Sequence, residues 1–142
     1  MNILKLELTH FGKFHLKTIT FTSGLNIVYG KNEAGKSTIH AFVRSMLFGI
    51  PDTEEGNERY SHYLPWETPH DFCGRMWIKK DDKIYRIERN FLRPQPTVRV
   101  FDDETDESLQ PAKQHLRQIL SGLTETSYLN TICIEQLKSA TD

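Results

Sequence analysis

Several things are scarce in this 142-residue chain, and each scarcity excludes something. There are only two cysteines, Cys73 and Cys133, with no partnering pattern between them. This excludes a disulfide framework and fits reduced thiols in a reducing compartment. No apolar run approaches the ~20 residues of a membrane span, and the opening MNILKLELTH alternates Leu with polar residues instead of building a signal-peptide core. The expectation is a cytoplasmic chain with no membrane partner. Neither charge sign is in excess: 18 Lys and Arg stand against 19 Asp and Glu, a formal net charge of −1. No whole-molecule field draws in nucleic acid, so any anion site has to be local. Hydrophobic residues, at 37%, are few enough to indicate a modest core. Repeats and low-complexity tracts are missing, and the length suits one domain or a piece of one.

What is there begins with alternation. Leu4, Leu6 and Leu8 predict a half-buried strand, and a second alternation runs through Phe14, Leu16, Ile19 and Phe21 after the turn FGKF. LNIVYG, ending at Gly30, is a short apolar run. Ile39, Phe42, Val43, Met46, Leu47 and Ile50 then recur at a period close to 3.6, which predicts a helix with one core face, stopped by Pro51. Residues 51–71 are polar, proline-punctuated and aperiodic, and are expected to be a long surface excursion. GRMWIKK and KIYRIERNF flank Asp81–Asp82 as a second hairpin, and TVRVFD adds a strand that runs into the acidic turn DDETDES. From Pro111 the spacing of Ala112, Leu116, Ile119 and Leu120 predicts a short helix, broken by SGLT. A last apolar-periodic stretch covers Tyr128, Leu129, Ile132 and Ile134.

Between the LNIVYG run and the first helix stands Gly30-Lys31-Asn32-Glu33-Ala34-Gly35-Lys36-Ser37, a match to G-x-x-x-x-G-K-[ST]. In a chain of this composition a chance match has a probability of roughly 0.4%. The strand before and the helix after are the context that the motif requires. Gly30 and Gly35 allow close backbone approach, so that successive N–H groups can face a polyphosphate. Lys36 supplies a mobile charge for the β- and γ-phosphates, and the Ser37 hydroxyl suits Mg²⁺. The positive end of the helix, expected to begin near Lys36, favours the anion. Thr38 is either a further phosphate hydroxyl or ordinary first-turn chemistry.

The opening LKLELTHFGKFHLKTITFTSGLNIVYGKNEAGKST resembles the start of SMC-like ABC ATPases of the SbcC, RecF and RecN type. HFGKF fills the place of their aromatic-basic turn, and GKNEAGKST that of a loop close to GxNGxGKST, with Glu33-Ala34 where Gly-Ser or Gly-Ala is commoner. HYLPWETPHDFCGRMWI followed by KIYRIERNF looks most like the YhaN branch, and the likeness covers essentially the whole chain. It implies an α/β P-loop NTPase, the N-terminal half of an ABC/SMC-like head, with mixed and antiparallel strands flanking the phosphate-loop strand. ATP and Mg²⁺ are the implied ligands, held by Gly30, Asn32, Glu33, Ala34, Gly35, Lys36, Ser37 and Thr38. Lys13, in the HFGKF turn, would lie near the nucleotide. Gln136 in TICIEQLKS resembles the Gln-loop glutamine that meets Mg²⁺ and the attacking water. A second head in an ATP sandwich, an SbcD-type nuclease and DNA are the implied partners.

ATP hydrolysis needs further acidic residues after an apolar strand. VRVFDDE imitates such a segment, but Arg99 interrupts it, and a strand entering an acidic turn is the expected reading. ICIEQ is a second imitation, assigned by the resemblance to the Gln loop. LSGLT echoes the LSGGQ signature but precedes Gln136, and is expected to be a helix-ending turn. With the signature, the acidic strand and the switch histidine missing, residues 1–142 are expected to be an N-terminal head segment. His62, His70 and Cys73 lack the tight spacing of a zinc site. Arg75, Lys79, Lys80, Lys83, Arg86, Arg89, Arg93 and Arg99, with Trp77, Tyr85 and Phe91 interleaved, suggest either a DNA-facing patch or a solvated sheet face. Two alternatives stay open: another phosphate-loop enzyme such as a kinase, and a non-catalytic nucleotide-binding module. A GTPase is disfavoured, because N-K-x-D is missing.

Overall fold

In the computed structural model, which describes residues 2–21, 33–122 and 124–130 (backbone alone at 33–36 and 128–130), six strands form one sheet. The order along the chain is β1 (Asn2–Phe11), β2 (Phe14–Thr20), α1 (Glu33–Phe48), α2 (Glu54–Tyr63), β3 (Cys73–Lys80), β4 (Lys83–Asn90), β5 (Thr97–Asp102), β6 (Glu107–Ser108), α3 (Ala112–Leu120) and α4 (Glu125–Asn130). In the sheet the order is β2-β1-β3-β4-β5-β6, and every pairing is antiparallel. The antiparallel strands of the expectation are thus present, while the phosphate-loop strand that would make the sheet mixed is not among the described residues. Tight turns at Gly12–Lys13 and Asp81–Asp82 return the chain directly onto its neighbour, which only antiparallel pairs permit. The LNIVYG run lies outside the described residues.

One face of the sheet is core. Leu6, Met76, Ile87 and Val100 stand side by side across four strands and are fully buried, with Ile3 and Ile78 paired beside them. Helix α1 lies on this face through Ile39, Phe42, Val43, Met46 and Leu47, all buried as the 3.6 period requires. Helix α3 adds Leu116 and Ile119 over β5. At one end the rings of Phe11, Phe42, Phe72 and Phe91 cluster, with Phe11 to Phe42 at 5.1 Å edge-to-face and Phe72 to Phe91 at 5.1 Å.

Three local expectations are corrected. In β1 the buried face is Ile3, Leu6, Leu8 and Phe11, while Leu4 is half-buried. Register shifts against β3 between Ile3 and Lys5 and between Glu7 and His10 each break the two-residue alternation, as a bulge does. In β2, Phe14 is half-buried and Ile19 buried, so the parity has to change between them. It changes at Leu16, whose φ is 52° and which is 70% exposed. Residues 51–71 are not wholly irregular, because Glu54–Tyr63 is helical. The Thr53 hydroxyl accepts from the Gly56 N–H at 3.0 Å, and Glu54 and Glu55 occupy the first turn, where acids favour a helix. Helix α2 buries an arginine instead of an apolar stripe, so its sequence carries no period.

The distance between α1 and the sheet depends on Gly74. A Cβ there would stand 2.3 Å from Phe42 Cε1 and 3.0 Å from the Glu7 carbonyl oxygen. Gly74→Ala is expected to cost about 2 kcal/mol by overpacking. Urea denaturation should show this as a lower midpoint at unchanged slope, and wild-type stability would disprove the seating.

Candidate functional site

Helix α1 begins at Glu33, earlier than the expected start near Lys36. Its first turn therefore takes in Glu33, Ala34, Gly35 and Lys36, and the first-turn amides of a helix have no acceptor within it. The apolar residues from Ile39 onward hold the rest of the helix down, and the following turn presents Ser37 exposed and Thr38 half-buried. Gly30, Lys31, Asn32 and Gln136 lie outside the described residues, as do the side chains of Glu33, Ala34, Gly35 and Lys36.

The structure brings the β1–β2 turn to this end of α1. Gly12 has φ 61°, its N–H donates to the Tyr63 carbonyl at 2.6 Å, and a Cβ on it would meet Thr38 Cγ2 at 3.4 Å and Tyr63 Cδ1 at 3.3 Å. Lys13, the next residue, is exposed at the tip of that turn. The turn carrying Lys13 and the helix turn carrying Ser37 and Thr38 are thus neighbours, joined through α2. The stacking of Tyr63 on Phe11, at 5.2 Å, completes the arrangement.

Charged residues that sequence reasoning left unassigned hold α1 in place. Arg89 on β4 donates from Nε to the Met46 carbonyl at 2.6 Å and from Nη2 to the Leu47 carbonyl at 3.3 Å, satisfying the C-terminal end of the helix. Burial draws its pKa down to about 10, which leaves it charged at neutral pH, as suits a helix C-terminus. Arg44 of α1 pairs with Glu55 of α2 at 3.2 Å and with Glu125 of α4. Buried Arg59 of α2 lies between Glu55, at 3.2 Å, and Glu125, at 3.8 Å, and donates to the Ser45 hydroxyl at 3.1 Å. Desolvation lowers the Arg59 pKa and nearby Arg44 lowers it further, while Glu55 and Glu125 oppose them. The only sequence signal for this network is the company of Arg44, Glu55 and Arg59, which no periodicity marks.

Several cations of the basic middle third are engaged, while Lys79 and Arg99 are exposed. Arg75, Arg86 and Arg99 share the sheet face opposite α1, but Arg75 pairs with Glu7 at 2.5 Å, and Arg86 with Glu88 at 2.8 Å, Asp103 at 3.0 Å and Asp106 at 2.5 Å. Burial alone would lower the Arg86 pKa, yet hydrogen bonds to Asp106, Glu88 and Asp103 hold it above the ordinary value. Lys80 donates to the Gln118 and Ile119 carbonyls at 3.0 and 2.6 Å, and Arg93 lies 4.4 Å over the Tyr60 ring. The acidic imitation at Val98–Glu104 is structural, since Asp103 accepts from Trp77 Nε1 at 3.1 Å and Asp102 from the Glu104 N–H at 3.0 Å. The start of LSGLT is a helix end, with α3 closing at Leu120 and Ser121 left-handed at φ 51°. No group of metal-ligating residues occurs among the described residues. Burial, followed by Asp71 and Glu7, pushes the Cys73 thiol up and keeps it protonated.

A family model described as an AAA domain matches residues 1–139. The chain is similar to the uncharacterized protein YhaN of Bacillus subtilis, 43% identical over 56 residues, or 39% of this chain and 6% of that protein. It is also similar to the DNA double-strand break repair Rad50 ATPase of Thermococcus kodakarensis, 26% identical over 146 residues, or 96% of this chain and 15% of that protein. It thus spans a small fraction of the length of either relative.

Three substitutions test the geometry. Gly12→Ala forces a Cβ into the left-handed region against Thr38 and is expected to cost about 1 kcal/mol, whereas Lys13→Ala at the exposed neighbour should be within about 0.5 kcal/mol of wild type. Arg59→Ala removes the buried guanidinium and should cost about 2 kcal/mol. Chemical denaturation reads all three, and an Arg59→Ala protein as stable as Lys13→Ala would show that the network carries no weight.

Proposed function

This chain belongs to the AAA domain family, and from that premise we propose that it is the nucleotide-binding lobe of an ATPase head of the SMC-like kind, nearest the YhaN branch. The observation that carries this reading is the G-x-x-x-x-G-K-S run opening into α1, a helix that starts inside the motif and presents Ser37 to solvent in its second turn. The residues fit a triphosphate and its Mg²⁺. Gly30 and Gly35 leave the backbone of Asn32, Glu33 and Ala34 free to point amides at the phosphates. Lys36 neutralises β- and γ-oxygens, Ser37 offers its hydroxyl to Mg²⁺, and Thr38 supports the same turn. Lys13 is proposed to face the nucleotide from the neighbouring hairpin, and Gln136 to orient water beside the metal. When bound, Mg²⁺ supplies charge neutralisation at the transferring phosphate.

In the whole protein we infer that the lobe pairs with a second head across two ATP molecules and acts in DNA repair, with an SbcD-type nuclease as a candidate partner. The name of the Thermococcus relative, a double-strand break repair ATPase, supports that direction. The network of Arg44, Arg59, Glu55 and Glu125 gives α1 the rigid seat that a phosphate-binding helix needs.

Thermal melting tests the reading. ATP with Mg²⁺ at about 100 times Kd should stabilise by about 2.7 kcal/mol, a rise of roughly 5–15 °C for a chain of this size. Lys36→Ala should abolish the rise, and Ser37→Ala should weaken its Mg²⁺ dependence. Turnover by this lobe alone should be small, because the acidic strand is missing. If neither ATP nor ADP raises Tm and Lys36→Ala behaves as wild type, the proposal fails.

A further inference from the structure

At the far end of α1, about 15 Å along the helix from Ser37, a cavity of about 420 Å³ opens between α1, β4, β5 and α3. Leu47, Ile50, Val98, Leu116 and Leu120 give it an apolar floor. Its charged lining is Arg89, Arg93, Lys113 and Arg117, with no carboxylate among the lining residues. In a chain of net charge −1, four cations without an acid is a strong local departure.

The four differ in what they already do. Arg89 is committed to the α1 carbonyls, and Arg93 donates to the Pro51 carbonyl at 3.3 Å and covers Tyr60. Lys113 and Arg117 are exposed on α3, and among the described residues their side chains make no ion pair or hydrogen bond. They are one helical turn apart on one face, where like charges repel. Arg44, Arg75 and Arg86 meet acids supplied by neighbouring elements. The lining of this cavity supplies none, so it is complementary to an acidic occupant.

We propose that this cavity docks an acidic amphipathic segment of a partner protein, its apolar side chains entering over Leu47, Leu116 and Leu120 and its carboxylates meeting Lys113 and Arg117. The i, i+4 spacing of the two cations matches carboxylates one turn apart on a helical segment, whose apolar side chains recur at the same interval. A nucleic-acid backbone would leave the apolar floor uncovered, and a simple phosphate would use neither the floor nor the spacing. The site is independent of the nucleotide reading, since none of its residues belongs to the phosphate-loop end of α1.

The probe is a fluorescein-labelled helical peptide of about 16 residues with Leu at i, i+3, i+4 and i+7 and Glu on the flanking positions. Fluorescence polarisation on the full chain at about 0.15 M salt should show saturable binding. Lys113→Glu with Arg117→Glu should weaken it by about tenfold or more, while Arg99→Glu, an exposed cation on the opposite sheet face, should leave it unchanged. A probe with Leu replaced by Ser should also lose about tenfold. Thermal melts confirm that the variants fold. Lack of saturable binding, an equal loss with Arg99→Glu, or full binding of the Ser probe would each overturn the proposal. So would concentration-dependent self-association of the chain that the Lys113 and Arg117 reversals abolish, because the occupant would then be a second copy.

Discussion

Cations on the sheet hold the C-terminal carbonyls of both helices that cover it, and the layer geometry depends on this. Arg89 of β4 reaches Met46 and Leu47 at the end of α1, and Lys80 of β3 reaches Gln118 and Ile119 at the end of α3. The last carbonyls of a helix have no partners within it and carry its negative end, so a half-buried cation there satisfies hydrogen bonding and field together. Apolar burial alone would let a helix slide or roll on a greasy sheet. Two directed hydrogen bonds at one end, with Phe42 lodged over Gly74 in the middle, leave α1 a single position. The orientation of its first turn follows from constraints at the other end of the rod.

The same economy governs the remaining charge. Glu7, Arg75, Glu88 and Arg86 alternate in sign across neighbouring strands of the outer face and continue to Asp103 and Asp106. Exposed pairs of this kind contribute little stability singly. Their larger effect is local cancellation at Arg75 and Arg86, and Trp77 is held between Lys5, 4.0 Å from its ring, and Asp103. The cleft between α1 and α2 is balanced in the same way by Arg44 and Arg59 against Glu55 and Glu125. Lys113 and Arg117 differ in lining, with Arg89 and Arg93, a cavity that contains no carboxylate.

Elements that announce themselves by period were legible in the sequence. The buried stripe of α1, the hairpin around Asp81–Asp82, the strand ending at Asp102 and the helix after Pro111 all lie where spacing put them. The G-x-x-x-x-G-K-S run was legible as a motif, and the helix expected after it is in place over Glu33–Phe48. What spacing missed has a common cause. Bulges in β1 shift a two-residue alternation that no local residue marks, and Leu16 changes the parity of β2 through its backbone. Helix α2 hides because its inward residue is Arg59, made tolerable by Glu55, Glu125 and Ser45 from three different elements. A buried charge is a tertiary fact, legible only once its partners are known. The reading of the basic stretch as a DNA face weakened for the same reason, since its acids come from β1, β4 and the turn after β5.

Arg44 links these points. It lies about two turns beyond Ser37 on α1, and its guanidinium holds Glu55 of α2 and Glu125 at the start of α4. A rotation of α1 large enough to move the first turn would swing Arg44 away from both carboxylates and take the Ser45 hydroxyl from Arg59, which keeps Glu55 on its own helix and Glu125 on α4. Arg44 and Arg59 thus tie α1, α2 and α4 to one another, and the placement of α1 and α4 is linked through two arginines and two glutamates.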